Sequence, residues 1–196
     1  MNFPNLLSLS RVAVLPLLAL LLGLDGPPTA WLALVVFVLA ALTDAVDGWA
    51  ARKFDKVTTV GKFLDALVDK IFVLGVLVVL LEPAARLSLL PATSVAVVLI
   101  LTREFGVTGL RILAVKRQVV LAAERGGKIK TALQMGALGL LLLANALLAG
   151  DPKGGFGHAC YFAGHVVLWL AVIQTVVSGF NYFRRYGYLL REEGTA

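Results

Sequence analysis

Long apolar runs separated by short basic connections are the feature that most limits how this chain can fold. Hydrophobic residues make up 59% of its 196 residues and charged residues only 15%, whereas a soluble domain carries about 25% charge. Within hydrocarbon, a chain must pair its backbone polar groups internally, which favours helices of roughly 20 residues. The pattern therefore predicts an all-α, multi-pass protein of the lipid bilayer with a single domain, residues 1–196.

Six transmembrane helices are predicted from the apolar runs. The first run, 12–24, approaches a spanning length only when residues from Leu6 onward are included. The first ten residues mix polar and apolar side chains, which predicts a short N-terminal interfacial helix before this span. The remaining spans are expected at about 31–51, 61–81, 91–115, 131–149 and 159–183.

The basic residues predict the orientation of these spans. Most of them follow the second, fourth and sixth spans, whereas the opposite connections hold only Arg86 and Lys153. Because basic residues concentrate on the cytoplasmic side, both termini and the loop after span two should be cytoplasmic, in the cell (inner) membrane. The net charge of +6 is then explained by basic residues that set the topology and attract anionic headgroups, so nucleic acid is not an expected partner.

Four aspartates lie where the second span ends and the third begins. Asp44 and Asp47 are three residues apart, and Asp65 and Asp69 are four apart, so each pair shares one helix face. Carboxylate oxygens without His or Cys neighbours suit Mg²⁺ or Mn²⁺. Because clustered carboxylates repel each other unless cations neutralise them, the sequence predicts a site for two divalent ions.

Small residues and an arginine accompany the carboxylates. Gly48, Ala51 and Gly61 leave room for a ligand to approach the backbone, and the planar cation of Arg52 suits phosphate. Together with a metal, these groups indicate a phosphoryl-transfer centre. Acidic helix ends facing water, or the ion pathway of a divalent-cation carrier, are the alternatives. A carrier needs a polar path across the whole membrane, but the segment 73–81 is almost wholly apolar.

The segment 44–69 reads D-x-x-D-G-x-x-A-R, eight residues, then G-x-x-x-D-x-x-x-D. This pattern resembles the signature of the CDP-alcohol phosphotransferase family, which transfers a phosphatidyl group from a CDP-linked lipid to an alcohol and releases CMP. The resemblance implies that the four aspartates bind the metals, that Asp69 also accepts the proton of the alcohol, and that the protein is a homodimer. It further implies a site for the CDP-lipid formed by Asn5, Ser8, Gly48, Ala51, Arg52, Thr58 and Gly61.

Three other stretches, 2–11, 103–111 and 127–134, resemble the bacterial branch of this family that makes phosphatidylglycerophosphate from CDP-diacylglycerol and glycerol 3-phosphate. The phosphate of this dianionic acceptor is predicted to be bound by cations of the fourth and fifth spans, namely Arg103, Arg111, Lys128 and Lys130. Two alternatives stay open: Arg103 pairs with an acid such as Glu104, and the lysines only set topology. One departure from the branch is that Ala66 and Val68 replace its usual Pro and Ala. Inositol phosphate, serine or phosphatidylglycerol as acceptor also stays open.

Overall fold

The computed structural model describes residues 3–24, 26–53, 59–81, 90–117, 119 and 126–190, of which 3–9, 44–53, 59–66, 90–91 and 126–128 are described by their backbone only. These ranges form six helices, which confirms the all-α prediction. The helices are α1 Phe3–Gly23, α2 Pro27–Lys53, α3 Thr59–Val79, α4 Leu90–Lys116, α5 Gly126–Gly150 and α6 Gly155–Tyr186, followed by a 3₁₀ turn Gly187–Leu190.

The first helix differs from the prediction of two N-terminal helices. α1 continues without a break from Phe3 to Gly23, so a separate short interfacial helix is not confirmed. Pro4 lies in the first turn, where its missing N–H costs no hydrogen bond, and leucine and alanine favour helix in the turns that follow. The chain then reverses at Gly26, whose φ of 146° suits glycine.

One apolar core joins all six helices, and Ala96, Val97 and Ile100 are the α4 residues buried in it. The rings of Phe37 and Phe72 stack between α2 and α3, with centroids 6.0 Å apart. Two glycines permit close helix packing. A Cβ at Gly75 would lie 2.5 Å from Leu15 Cδ1, and one at Gly164 would lie 2.9 Å from Leu141 Cδ2. Small residues of this kind are typical of helix contacts in membrane proteins.

Two segments of the described ranges are long and apolar enough to cross a membrane, Ile129–Gly150 and Gly155–Leu190. The apolar parts of α1 and α2, Ser10–Gly23 and Pro27–Thr43, are shorter. Large apolar side chains also cover the outer surface, as at Phe162, which is 73% exposed, and such a surface suits lipid. These features support a membrane protein, whereas six membrane crossings are not confirmed.

Candidate active site

A cavity of about 190 Å³ lies among α3, α4 and α5. We call it the polar cleft, and its lining consists of Asp69, Lys70, Val73, Leu74, Glu104, Lys130, Thr131 and Gln134. A single water needs roughly 10–15 Å³, so the polar cleft has room for a small polar molecule. Charged groups of both signs meet there beside two apolar side chains.

Asp69 forms one side of the polar cleft and is held by α1. Arg11 Nη1 donates a hydrogen bond of 2.6 Å to Asp69 Oδ1. The arginine side chain is 2% exposed, whereas that of Asp69 is 44% exposed. A charge-assisted bond of this length is strong and directional. Arg11 therefore fixes the orientation of the carboxylate while leaving much of it accessible.

Glu104 forms the opposite side and is enclosed by cations. Its Oε1 accepts hydrogen bonds from Lys130 Nζ and from Arg103 Nη1, the latter at 3.0 Å. Arg103 Nη2 also donates to Ser178 Oγ at 2.7 Å, which links α4 to α6. A Cβ at Gly179 would lie 2.7 Å from Arg103 Cγ, so glycine makes room for the arginine. The Glu104 carboxylate thus connects α4 with α5 directly and with α6 through Arg103.

Lys70 bridges the two sides. It follows Asp69 on α3, and its Nζ donates to Thr108 Oγ1 of α4 at 2.7 Å. Thr108 Oγ1 in turn donates to the backbone oxygen of Glu104 at 2.7 Å. Among the described side chains, the polar cleft and its ion-pair partners thus hold four cations, Arg11, Lys70, Arg103 and Lys130, and two carboxylates, Asp69 and Glu104. This excess of two positive charges favours a dianionic ligand.

Apart from Thr58, the predicted metal and CDP-lipid residues lie on α1, α2 and α3. The helix is continuous over Pro27–Lys53 and over Thr59–Val79, so the two positions of each aspartate pair share one helix face. The side chains of Asp44, Asp47 and Asp65 lie outside the described part, and so does Thr58. The backbone is helical at Asn5, Ser8, Gly48, Ala51, Arg52 and Gly61. Among the described side chains, which do not include the other three aspartates, no group of three His, Cys, Asp or Glu residues lies together.

The predicted phosphate-binding cations separate into two groups. Lys130 lines the polar cleft, and Arg103 adjoins it through Glu104, as expected if Arg103 pairs with that acid. Arg111 instead lies beside Tyr182, with its Nε donating to Tyr182 Oη at 3.4 Å and its guanidinium carbon 5.8 Å from the ring centroid. The Lys128 side chain lies outside the described part, although its backbone is in α5.

Sequence reasoning missed Arg11, Lys70 and Gln134 as site residues. A usable signal existed for the two cations, because a charged residue inside an apolar run is costly and marks a functional position. Arg11 lies in the amino-terminal half of α1, and Lys70 lies between Asp69 and the apolar segment 71–81. Gln134 is neutral and one turn beyond Lys130, so nothing in the sequence pattern separated it from a packing residue.

Comparison with known proteins gives consistent matches over nearly the whole chain. The family model described as CDP-alcohol phosphatidyltransferase matches residues 1–177. The CDP-diacylglycerol--glycerol-3-phosphate 3-phosphatidyltransferase of Bacillus subtilis is 38% identical over 196 residues, with 94% of each chain covered. The protein of the same name from Rickettsia bellii is 35% identical over 183 residues, covering 93% of this chain and 94% of the relative. A probable phosphatidylglycerophosphate synthase of Mycobacterium tuberculosis is 37% identical, covering 94% of this chain and 81% of the relative.

Proposed function

The chain belongs to the CDP-alcohol phosphatidyltransferase family, and we propose that it transfers a phosphatidyl group from CDP-diacylglycerol to sn-glycerol 3-phosphate. The products are phosphatidylglycerophosphate and CMP. The names of the Bacillus and Rickettsia relatives specify this donor and acceptor. The structural observation that carries the proposal is the polar cleft, where Asp69 lies in the same cavity as Lys70 and Lys130.

The acceptor is proposed to bind in the polar cleft. Glycerol 3-phosphate is a small dianion, which the excess of two positive charges complements. Its phosphate is proposed to lie between Lys70 and Lys130, the two cations that line the cavity. Arg103, which pairs with Glu104, adds positive charge next to the cavity. Arg111 and Lys128 are proposed as outer cations that attract the acceptor toward this position.

The donor is proposed to bind beside the aspartates. Enzymes of this family generally depend on a divalent metal, and we propose that Asp44, Asp47, Asp65 and Asp69 hold two Mg²⁺ or Mn²⁺ ions. The carboxylate-only donor set fits hard cations, and the 44% exposure of the Asp69 side chain leaves it accessible. When bound, the ions would neutralise the diphosphate and make CMP a better leaving group. The CDP-lipid is proposed to contact Asn5, Ser8, Gly48, Ala51, Arg52, Thr58 and Gly61.

The proposed reaction is a single displacement. The free primary hydroxyl of glycerol 3-phosphate forms the new bond to the lipid-linked phosphorus, and the phosphorus–oxygen bond to CMP breaks. Because an alcohol is a weak nucleophile near pH 7, a base must take its proton. Asp69 lines the polar cleft and is oriented by Arg11, so it is proposed to accept that proton. No covalent enzyme intermediate is required.

An acceptor panel tests the proposed function. Purified protein is mixed with CDP-diacylglycerol and labelled glycerol 3-phosphate, inositol phosphate, serine or phosphatidylglycerol. We expect CMP release and a labelled lipid with glycerol 3-phosphate, loss of both with EDTA, and recovery with excess Mg²⁺. Preferential use of another acceptor would assign a different alcohol to the site, and turnover in EDTA would contradict the metal proposal.

The proposed topology is multi-pass in the cell (inner) membrane, with both termini and the site cytoplasmic. Support comes from the basic ends of α4 and α6, which carry Lys116, Arg117, Arg184 and Arg185. In a Cys160→Ser background, single cysteines at Thr29 and Lys116 should label from opposite sides of sealed vesicles. Labelling from one side would contradict this topology. The proposed homodimer is tested by the mass of the protein in lipid nanodiscs.

A further inference from the structure

Gln134 carries a buried amide donor for which the described part of the chain supplies no hydrogen-bond acceptor. The residue is 3% exposed and lines the polar cleft. Its Nε2 has no hydrogen-bond partner among the residues that the structure describes. A buried amide that loses its hydrogen bonds to water destabilises the fold, and such groups are rare in native proteins. An unsatisfied donor in a cavity wall therefore points to a ligand that completes it.

The position of Gln134 adds a neutral amide to the charged and hydroxyl groups of the polar cleft. Gln134 is one helical turn after Lys130 on α5, so the two side chains share a face. The α3 wall contributes Asp69 and Lys70. The cavity thus combines two carboxylates, two ammonium groups, the Thr131 hydroxyl and a neutral amide, beside the apolar side chains of Val73 and Leu74.

We propose, resting on the function proposed above, that Gln134 Nε2 donates a hydrogen bond to the secondary hydroxyl of the acceptor. In glycerol 3-phosphate, the primary hydroxyl is assigned to Asp69 and the phosphate to Lys70 and Lys130. The secondary hydroxyl is the polar group that remains, and its oxygen accepts from a neutral amide. Gln134 is then a specificity-determining residue that selects acceptors with a second hydroxyl on the carbon next to the one that bears the attacking hydroxyl.

The physical basis of this selectivity is the unsatisfied donor. A site built to hydrogen-bond a substrate hydroxyl discriminates against the analogue that lacks it, because the buried protein group then stays unpaired. An apolar pocket of the same shape distinguishes the two substrates much less. Selectivity should therefore disappear when the amide is replaced by an apolar side chain of similar length.

The test compares two substrates on two proteins. Wild-type and Gln134→Met enzymes are assayed with glycerol 3-phosphate and with 3-hydroxypropyl phosphate, which lacks the secondary hydroxyl. We expect the wild type to prefer glycerol 3-phosphate by roughly 10- to 100-fold in kcat/KM. The variant should retain at most about a threefold preference, because replacing the amide and removing the secondary hydroxyl of the substrate abolish the same hydrogen bond.

Two controls separate recognition from structure. Gln174→Met makes the same substitution on α6, outside the cleft lining, and should keep the wild-type preference. Gln134→Met removes an unsatisfied donor, so its thermal unfolding midpoint should equal or exceed that of the wild type. An equal loss of kcat/KM on both substrates, or a lower midpoint, would overturn the assignment of Gln134. No wild-type turnover of glycerol 3-phosphate would overturn the proposed function and this inference with it.

Discussion

Asp69 and Glu104 face the same cavity, but their surroundings differ. The Glu104 side chain is 8% exposed and receives two cations, Lys130 and Arg103. The Asp69 side chain is 44% exposed and has Arg11 as its ion-pair partner from α1. A buried carboxylate enclosed by cations is costly to disturb, whereas an accessible one can exchange partners. We infer that Glu104 fixes the helices and that Asp69 performs chemistry.

Different helices meet at the Asp69 side and at the Glu104 side of the polar cleft. On the Asp69 side, α1 and α3 carry residues proposed to bind the CDP-lipid and metal. On the Glu104 side, the ion pairs join α4 and α5, and Arg103 continues to Ser178 of α6. The residues proposed for the donor and most cations proposed for the acceptor therefore lie on different helices, and Lys70 of α3 contacts Thr108 of α4.

The sharpest test of the difference is Asp69→Asn, which keeps the shape of the side chain and removes its charge. Loss of the proposed base and metal ligand should lower kcat by about 100- to 10,000-fold. The unfolding midpoint should fall less than in Glu104→Gln, because Arg11 is the one buried cation described as losing its acid and the substituted amide oxygen can still accept its hydrogen bond. Asp151→Asn, in the turn between α5 and α6, is the matched control and should keep full activity. Activity near wild type in Asp69→Asn would remove Asp69 from the mechanism.

Glu104→Gln should affect stability most. Removing this charge leaves Lys130 and Arg103 buried without their acid, which typically costs about 3–5 kcal/mol. Cys160 is the only cysteine in the chain and is buried, so a thiol-reactive fluorescent dye reports unfolding on heating. Adding Lys130→Met to Glu104→Gln should recover part of the loss. A midpoint unchanged by Glu104→Gln would contradict its role as an anchor.

Lys70→Met tests the residue between the two sides. Loss of a charged contact to the acceptor phosphate should raise KM for glycerol 3-phosphate by roughly 10- to 100-fold. We expect a smaller change in kcat, because the contact exists before and during the reaction. Lys153→Met removes an exposed lysine from the α5–α6 turn and serves as the control. An effect on kcat alone would instead place Lys70 at the reacting atoms.

Ser178→Ala should give the smallest effect. It removes one hydrogen bond to Arg103, whose contact with Glu104 remains, so we expect a loss of about 1 kcal/mol in stability. KM for the acceptor should stay within about twofold, because Ser178 does not line the polar cleft. A large KM change would show that the position of Arg103 controls acceptor binding, and would weaken the separation of the two sides.

The sequence predicted the positions of the helices better than the contacts between them. Apolar length and residue spacing placed α4 and the faces of the aspartate pairs, because both depend on local helix geometry. Spacing contains no information on which helices touch. The contacts of Arg11 with Asp69 and of Lys70 with Thr108 join residues 58 and 38 positions apart, and they follow only from packing. Mixed polarity near the amino terminus predicts a boundary within α1, but no residue there ends a helix and α1 is continuous.

The length of α6 has a consequence for where the reaction takes place. Its 32 residues extend about 48 Å at 1.5 Å per residue, well beyond a hydrocarbon core of about 30 Å. At its carboxyl end, the Arg185 guanidinium carbon lies 5.6 Å from the Tyr186 ring centroid, and such side chains anchor helices at the headgroup level. Ser178 is eight residues from that end, roughly 12 Å along the axis. We therefore expect this anchor to set the depth of Arg103 and to hold the polar cleft near the boundary between headgroups and acyl chains. At that depth, the water-soluble acceptor can reach the site from water while the lipid donor keeps its acyl chains in the bilayer.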